Sequence, residues 1–96
     1  MIYYTCILTN RWKTVLYIGM TNDIERRMLE HKDKVNMPFT NRYNCDRLMY
    51  YEEYPTPMQV IERENFLKKR YTRNMKEHLI TSINPKWRDL SEEWSI

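Results

Sequence analysis

The stretch VLYIGMTNDIERRMLEH, residues 15–31, carries the single glycine of the chain, Gly19. An apolar run of β-formers precedes it, and a polar run bearing Arg26, Arg27 and His31 follows. The reading is a strand, VLYIG, that ends at Gly19 and turns into a helix. Asn22 with Glu25 three residues later matches the capping box that opens a helix, with Asn in place of Ser or Thr. That helix is expected to run to about Asp33.

Upstream, IYYTCILT (residues 2–9) is a second strand-forming run, separated from the first by the polar break NRWKT. So short a break implies an antiparallel hairpin. Downstream, VNMPFTNRYNCD reads as a loop and RLMYYEEY (residues 47–54) as a third strand. TPMQ then supplies a cap at Thr56, proline at the first helical position and Gln59 for the box. A long helix is expected to about Arg70 and another over Arg73–Ser82, stopped at Asn84-Pro85 because a residue before proline is pushed out of helical geometry. The fold class is α/β of the α+β kind: a three-stranded, mainly antiparallel sheet flanked by helices. One domain is expected over residues 1–96, with 85–96 a C-terminal tail.

Ninety-six residues supply one modest core. No apolar run approaches the ~20 residues of a membrane-crossing helix, and the N-terminus lacks the pattern of a secretory leader. Cys6 and Cys45 are isolated, one in a strand and one in a polar loop, with no zinc-like spacing. A reducing cytoplasm is the expected location, with no membrane partner. The net charge is only +3, but all sixteen basic residues precede position 89, against ten of the acidic ones. Lys68, Lys69, Arg70, Arg73 and Lys76 are the only charged residues of Phe66–Lys76. Such a run attracts phosphate, or is simply a solvated helix face.

Three features can carry chemistry. Glu64 falls inside the helical stripe of Val60, Leu67 and Tyr71, where a carboxylate is costly unless a cation or donors meet it. It is either a metal ligand or buried ion pair, or a rim residue beside an arginine. Arg27 and His31 project from one side of the first helix, and an arginine there can hold phosphate through its planar fork; an exposed pair without a function remains the alternative. Tyr17 and Gly19 point to one sheet face, where the absent side chain lets a partner approach the backbone, or where glycine merely ends the strand.

Together, in order and spacing, these residues resemble the GIY-YIG endonuclease superfamily, in particular its small single-domain bacterial members. Tyr17-Ile18-Gly19 reads as the second family tripeptide, Arg27 as the phosphate-binding arginine with His31 one turn later, and IERENF (residues 61–66) as the segment giving the metal-binding glutamate, Glu64. Asn84 matches the asparagine that often closes the motif set, and supports site geometry. The first tripeptide aligns with Tyr4-Thr5-Cys6, so Cys6 stands where the family places a tyrosine. Tyr4 shares the face of Cys6 but lies one pleat repeat (~6.6 Å) away. Tyr17 becomes the main candidate base, and Tyr4 the second.

The resemblance implies a metal-dependent DNA endonuclease with one Mg²⁺ (or Mn²⁺) on Glu64, Arg27 on the phosphoryl oxygens, and Tyr17 on the attacking water. Gly19, Arg26, Lys68, Lys69, Arg70 and Arg73 would contact the nucleic acid. The chain has no separate recognition domain, so branched, flap or single-stranded ends are the expected substrates, with a link to DNA repair or recombination. The alternative set by Cys6 is a catalytically weak or inactive module that keeps the fold and binds nucleic acid. A third reading, an interaction domain unrelated to nucleic acid, gains if the basic run is dispersed around its helices.

Overall fold

Pairing of the first two strand-forming runs makes a hairpin whose first strand also pairs with the third. In the computed structural model, which describes residues 1–33 and 45–94 (side chains over 1–30 and 45–92), β1 (Tyr3–Thr9) lies between β2 (Leu16–Thr21) and β3 (Arg47–Tyr54). Both neighbours run antiparallel to it. Being central, β1 is covered on both faces, and Thr5 to Thr9 are buried without interruption. Cys6 pairs with Gly19 on one side and Tyr51 on the other, and Leu8 pairs with Tyr17. Ile7 faces Tyr50 whereas Leu8 faces Leu48, so Met49 is the extra residue of a bulge in β3.

Each face of the sheet has its own core. Cys6 and Leu8 meet Ile24 and Met28 of α1 (Ile24–Asp33), together with Cys45 and Leu48. Ile7, Ile18, Met49 and Tyr50 meet Leu67 of α2 (Pro57–Arg70) and Ile80 of α3 (Arg73–Ile83). Thr56 and Thr72 cap α2 and α3 by accepting from the amides of Gln59 and Met75. Thr5 donates across the sheet to the Val60 carbonyl at 3.2 Å, tying α2 to the central strand. No helix among the described residues is long and apolar enough to cross a membrane.

Four expectations need correction. The second strand does not end at Gly19; it continues to Thr21, and Gly19 has no positive φ. The cap of α1 is Asp23, not Asn22: its Oδ1 accepts from the Arg26 amide at 3.1 Å, one residue later than the capping-box pattern indicates. Cys45 is buried in the α1-side core rather than lying in a polar loop. Residues 85–94 do not trail away. The Asp89 carboxylate accepts from the Leu48 amide at 3.0 Å, Ser91 is buried, and a short 3-10 helix (Leu90–Trp94) packs against the sheet through Leu90. Residues 34–44 of the expected loop lie outside the described residues.

Candidate functional site

Gly19 explains the layout of the site. A Cβ there would lie 3.1 Å from Tyr17 Cε1 and 3.7 Å from Cys6 Sγ, tight against an aromatic ring. The glycine is needed for space, since its backbone is ordinary strand, and the space is taken by the ring of Tyr17. Opposite it on β1, the Cys6 thiol donates to the Gly19 carbonyl at 3.6 Å. Cys6 is 2% exposed, and burial pushes its thiol up to about 12, against the pull of Arg27. A neutral thiol is therefore what sits where the resemblance places a phenol.

Charges from two helices act on this spot. Burial raises the Tyr17 phenol above its ordinary value; the Arg27 cation opposes the rise and the Glu64 carboxylate adds to it. The same Arg27 and Glu64 act, with the same signs, on Cys6. Residues from β1, β2, α1 and α2 thus share one electrostatic neighbourhood. Arg27 is half-exposed and makes a loose pair with Glu30 at 3.8 Å, while its neighbours Ile24 and Met28 anchor α1 in the core. Glu64 is 15% exposed, and its ion-pair partner among the described residues is Lys68, one helical turn on at 3.7 Å.

The rotation of α2 that aims Glu64 comes from the residue before it. Arg63 donates to both oxygens of Glu52 on β3, Nε to Oε1 at 2.8 Å and Nη2 to Oε2 at 2.9 Å. Tyr54 donates to Glu52 Oε1 at 2.6 Å, Tyr50 donates to Oε2, and the Arg63 guanidinium lies over the rings of Phe66 and Tyr71. Burial disfavours the Glu52 charge, but these donors outweigh it and hold the carboxyl below its usual range. This cluster is not among the features legible in the sequence. Its only sequence signal is the alternation Tyr50, Glu52, Tyr54, which places a carboxylate between two aromatics on one face.

The remaining sequence candidates divide. Tyr4 packs edge-on against Tyr51, with ring centroids 6.0 Å apart. Burial raises its phenol, followed by charges from Glu53, Tyr51, Glu25 and Asp23, and like Tyr17 it packs against the α1-side core. Asn84 is a structural residue. Its Nδ2 donates to the carbonyls of Met49 at 3.1 Å and Arg88 at 2.8 Å, and its Oδ1 accepts from the Arg88 amide at 3.0 Å. Arg73 donates to the carbonyls of Lys13 and Thr14 and to Glu77. Arg73 turns to the hairpin and Lys68 lies beside Glu64. Lys69, Arg70 and Arg26 are exposed. His31 lies on α1, and its side chain is outside the described residues.

A largely buried carboxylate and a guanidinium that both act on one phenol can receive a cation and a phosphate together. Among the described residues no three His, Cys, Asp or Glu side chains gather to cage a metal. One carboxylate nevertheless suits Mg²⁺, which keeps several waters and is commonly held by one or two carboxylates plus substrate phosphates.

Comparison with known proteins places this arrangement in context. A family model described as the GIY-YIG catalytic domain matches residues 2–78, which include Cys6, Tyr17, Arg27, His31 and Glu64 but stop short of Asn84. The UPF0213 protein CPE1444 of Clostridium perfringens is 32% identical over 81 residues, covering 84% of this chain and 86% of the relative. The UPF0213 protein HQ_3675A of Haloquadratum walsbyi is 35% identical over 72 residues, covering 72% of this chain and 80% of that one. In three dimensions, the solution NMR structure of the UPF0213 protein BH0048 from Bacillus halodurans matches over the whole of both chains, with a TM-score of 0.58 and 22% identity. At that identity it speaks for the fold.

Proposed function

The chain belongs to the GIY-YIG family, a nuclease family, and on that premise we propose that it is a divalent-metal-dependent DNA endonuclease that selects its substrate by structure rather than sequence. What supports this reading is that Arg27 of α1 and Glu64 of α2 both act on the Tyr17 phenol and on the Cys6 thiol beside Gly19. Glu64 holds the cation. Magnesium bound there would polarise the phosphodiester and offset charge on the leaving oxygen. Arg27 presents its planar donors to the phosphoryl oxygens, where charge grows in the transition state. Tyr17 orients the attacking water through its hydroxyl. Lys68 neutralises Glu64 at rest and yields to the cation.

The substrates this reading names are flaps, branches or single-stranded ends, recognised by backbone charge and shape. That substrate class suits DNA repair or recombination, and two buried free thiols suit a reducing cytoplasm. Cys6 favours a second reading, a binding module that cuts poorly, because a buried thiol held neutral replaces the first-motif phenol. One experiment separates the two. Purified protein is incubated with flap, branched, single-stranded and duplex DNA in Mg²⁺, Mn²⁺ or EDTA, beside its Glu64→Gln variant. Metal-dependent cutting of the open structures, lost in the variant with DNA affinity retained, supports the nuclease. Binding without cutting by the natural protein under every metal condition selects the module.

A further inference from the structure

The β1–β2 turn is built with more hydrogen bonds than a simple connection needs. Asn10, 6% exposed, accepts through Oδ1 from the amides of Thr14 at 2.8 Å and Val15 at 3.3 Å, and donates through Nδ2 to the Thr14 hydroxyl at 2.7 Å. Lys13 donates its amide to the Asn10 carbonyl at 3.0 Å and takes φ 59°, in the left-handed region where a lysine is uncommon. From α3, Arg73 clamps the far side of the turn. Its Nη2 donates to the Lys13 carbonyl and its Nη1 to the Thr14 carbonyl, both at 2.7 Å. Glu77 holds the same guanidinium through Nε at 2.9 Å.

These bonds all serve to hold the tip outward. Trp12 is 66% exposed, with the Arg11 guanidinium over its ring at 5.5 Å from the centroid. Arg11 and Lys13 flank it, both exposed, and no acidic residue occurs before Asp23. A large apolar ring kept in water by a rigid support is costly to the domain alone. An aromatic face set between two cations is the combination that binds single-stranded nucleic acid, since every base offers a π-face and every linkage a phosphate. The tip is also connected to the site. Val15 leaves the turn into the strand that carries Tyr17 and Gly19, two and four residues on, or about 7 and 13 Å along it.

We propose that the hairpin tip Arg11-Trp12-Lys13 is a second binding site for single-stranded DNA, with Trp12 stacked on an unpaired base and Arg11 and Lys13 on the adjoining phosphates. It rests on the DNA-cleaving reading and names what that site selects: a substrate with an unpaired strand within a few nucleotides of the cut. It also gives Arg73 a function as a positioning residue, since its clamp sets the angle at which the indole is presented.

Binding is measured in EDTA, apart from any cleavage, with a labelled oligothymidylate and a duplex of equal length. The natural protein, Trp12→Ala and Trp12→Phe are compared by fluorescence anisotropy and by quenching of intrinsic tryptophan emission. Trp12→Ala is expected to weaken single-strand binding on the order of tenfold, with the duplex affected much less. Trp12→Phe should recover part of the affinity while losing most of the quenching, because the ring remains but the reporter indole is gone. Circular dichroism on both variants checks that the hairpin survives. Unchanged single-strand affinity in Trp12→Ala, or an equal loss for both DNAs, overturns the proposal. So does tryptophan quenching that persists in Trp12→Phe, since it would arise from Trp87 or Trp94. Failure here alongside metal-dependent cutting that needs Glu64 would leave the nuclease reading standing. Base stacking at Trp12 in a protein that cuts nothing would remove that reading instead.

Discussion

Glu52 and Glu64 are equally exposed, at 15% each, and both are bound up with α2, yet they are partnered in opposite ways. Glu52 receives two bonds from Arg63 and one from each of two tyrosines, so both oxygens are saturated. Glu64 faces one half-exposed lysine at 3.7 Å, beyond hydrogen-bonding distance. Burial alone does not separate a structural carboxylate from a functional one. What separates them is whether the fold supplies the donors. The saturated glutamate fixes the helix; Glu64, one residue beyond Arg63, has only the Lys68 ion pair among the described residues.

The contrast can be broken in several places, first at the phenol. Tyr17→Phe deletes one hydroxyl and keeps the ring that Gly19 makes room for. It should lower cleavage about a hundredfold or more, as loss of a group that positions the water should. Robust cutting by this variant, in a single-turnover assay on a flap substrate, would remove Tyr17 from the mechanism.

Arg63→Ala comes next, and its effect is on stability. It leaves Glu52 charged, partly buried and short of two donors, which should cost about 2 kcal/mol and lower Tm by roughly 10 °C. Calorimetry checks this, and an unchanged Tm would show that α2 is held elsewhere. The same cluster predicts a pH dependence. Because the folded pKa of Glu52 is lowered, its stabilisation is present above the unfolded value near ~4.3 and is lost as pH falls through the folded pKa. The stability gap between the natural protein and Glu52→Gln, measured by urea unfolding, should therefore close on acidification. A gap that widened would reverse the sign assigned to this group.

Gly19→Ala should have the smallest effect on stability. A methyl 3.1 Å from the Tyr17 ring forces that ring to shift slightly, while the variant gains about 0.4–1 kcal/mol from a less flexible unfolded chain. The two nearly cancel in stability. The displaced phenol should still lower turnover several-fold, and a variant with full activity would mean that the ring's placement does not matter.

Periodicity and turn chemistry made the scaffold legible. The third strand and the long helix occupy Arg47–Tyr54 and Pro57–Arg70, as their patterns indicate, because alternation and the Thr56 cap are local signals. Within the candidate site, Glu64 stood out as a carboxylate in an apolar stripe, and Gly19 as the only glycine. The reason for Gly19 was not legible, since it depends on where the Tyr17 ring rests, not on backbone conformation. The clamp made by Arg73 was hidden for a related cause. In sequence the arginine is one cation in a basic run, but its partners lie at Lys13 and Thr14, about sixty positions away. The docking of residues 85–94 turns on one bond from Asp89 to the Leu48 amide, which leaves no periodic trace. Side-chain bonds to distant backbone carry no spacing rule, and they account for most of what the sequence concealed.

The two glutamates can be tested side by side by changing each to its isostere. Thermal unfolding and Mg²⁺-dependent cleavage of a flap DNA are measured on Glu64→Gln and Glu52→Gln under the same conditions. Glu64→Gln should melt with the natural protein, within about 0.5 kcal/mol, and cut nothing. Glu52→Gln should melt earlier and still cut below its transition. Glu64→Gln melting early, or cutting at the natural rate, would contradict the assignment of Glu64 as the carboxylate left open for the cation.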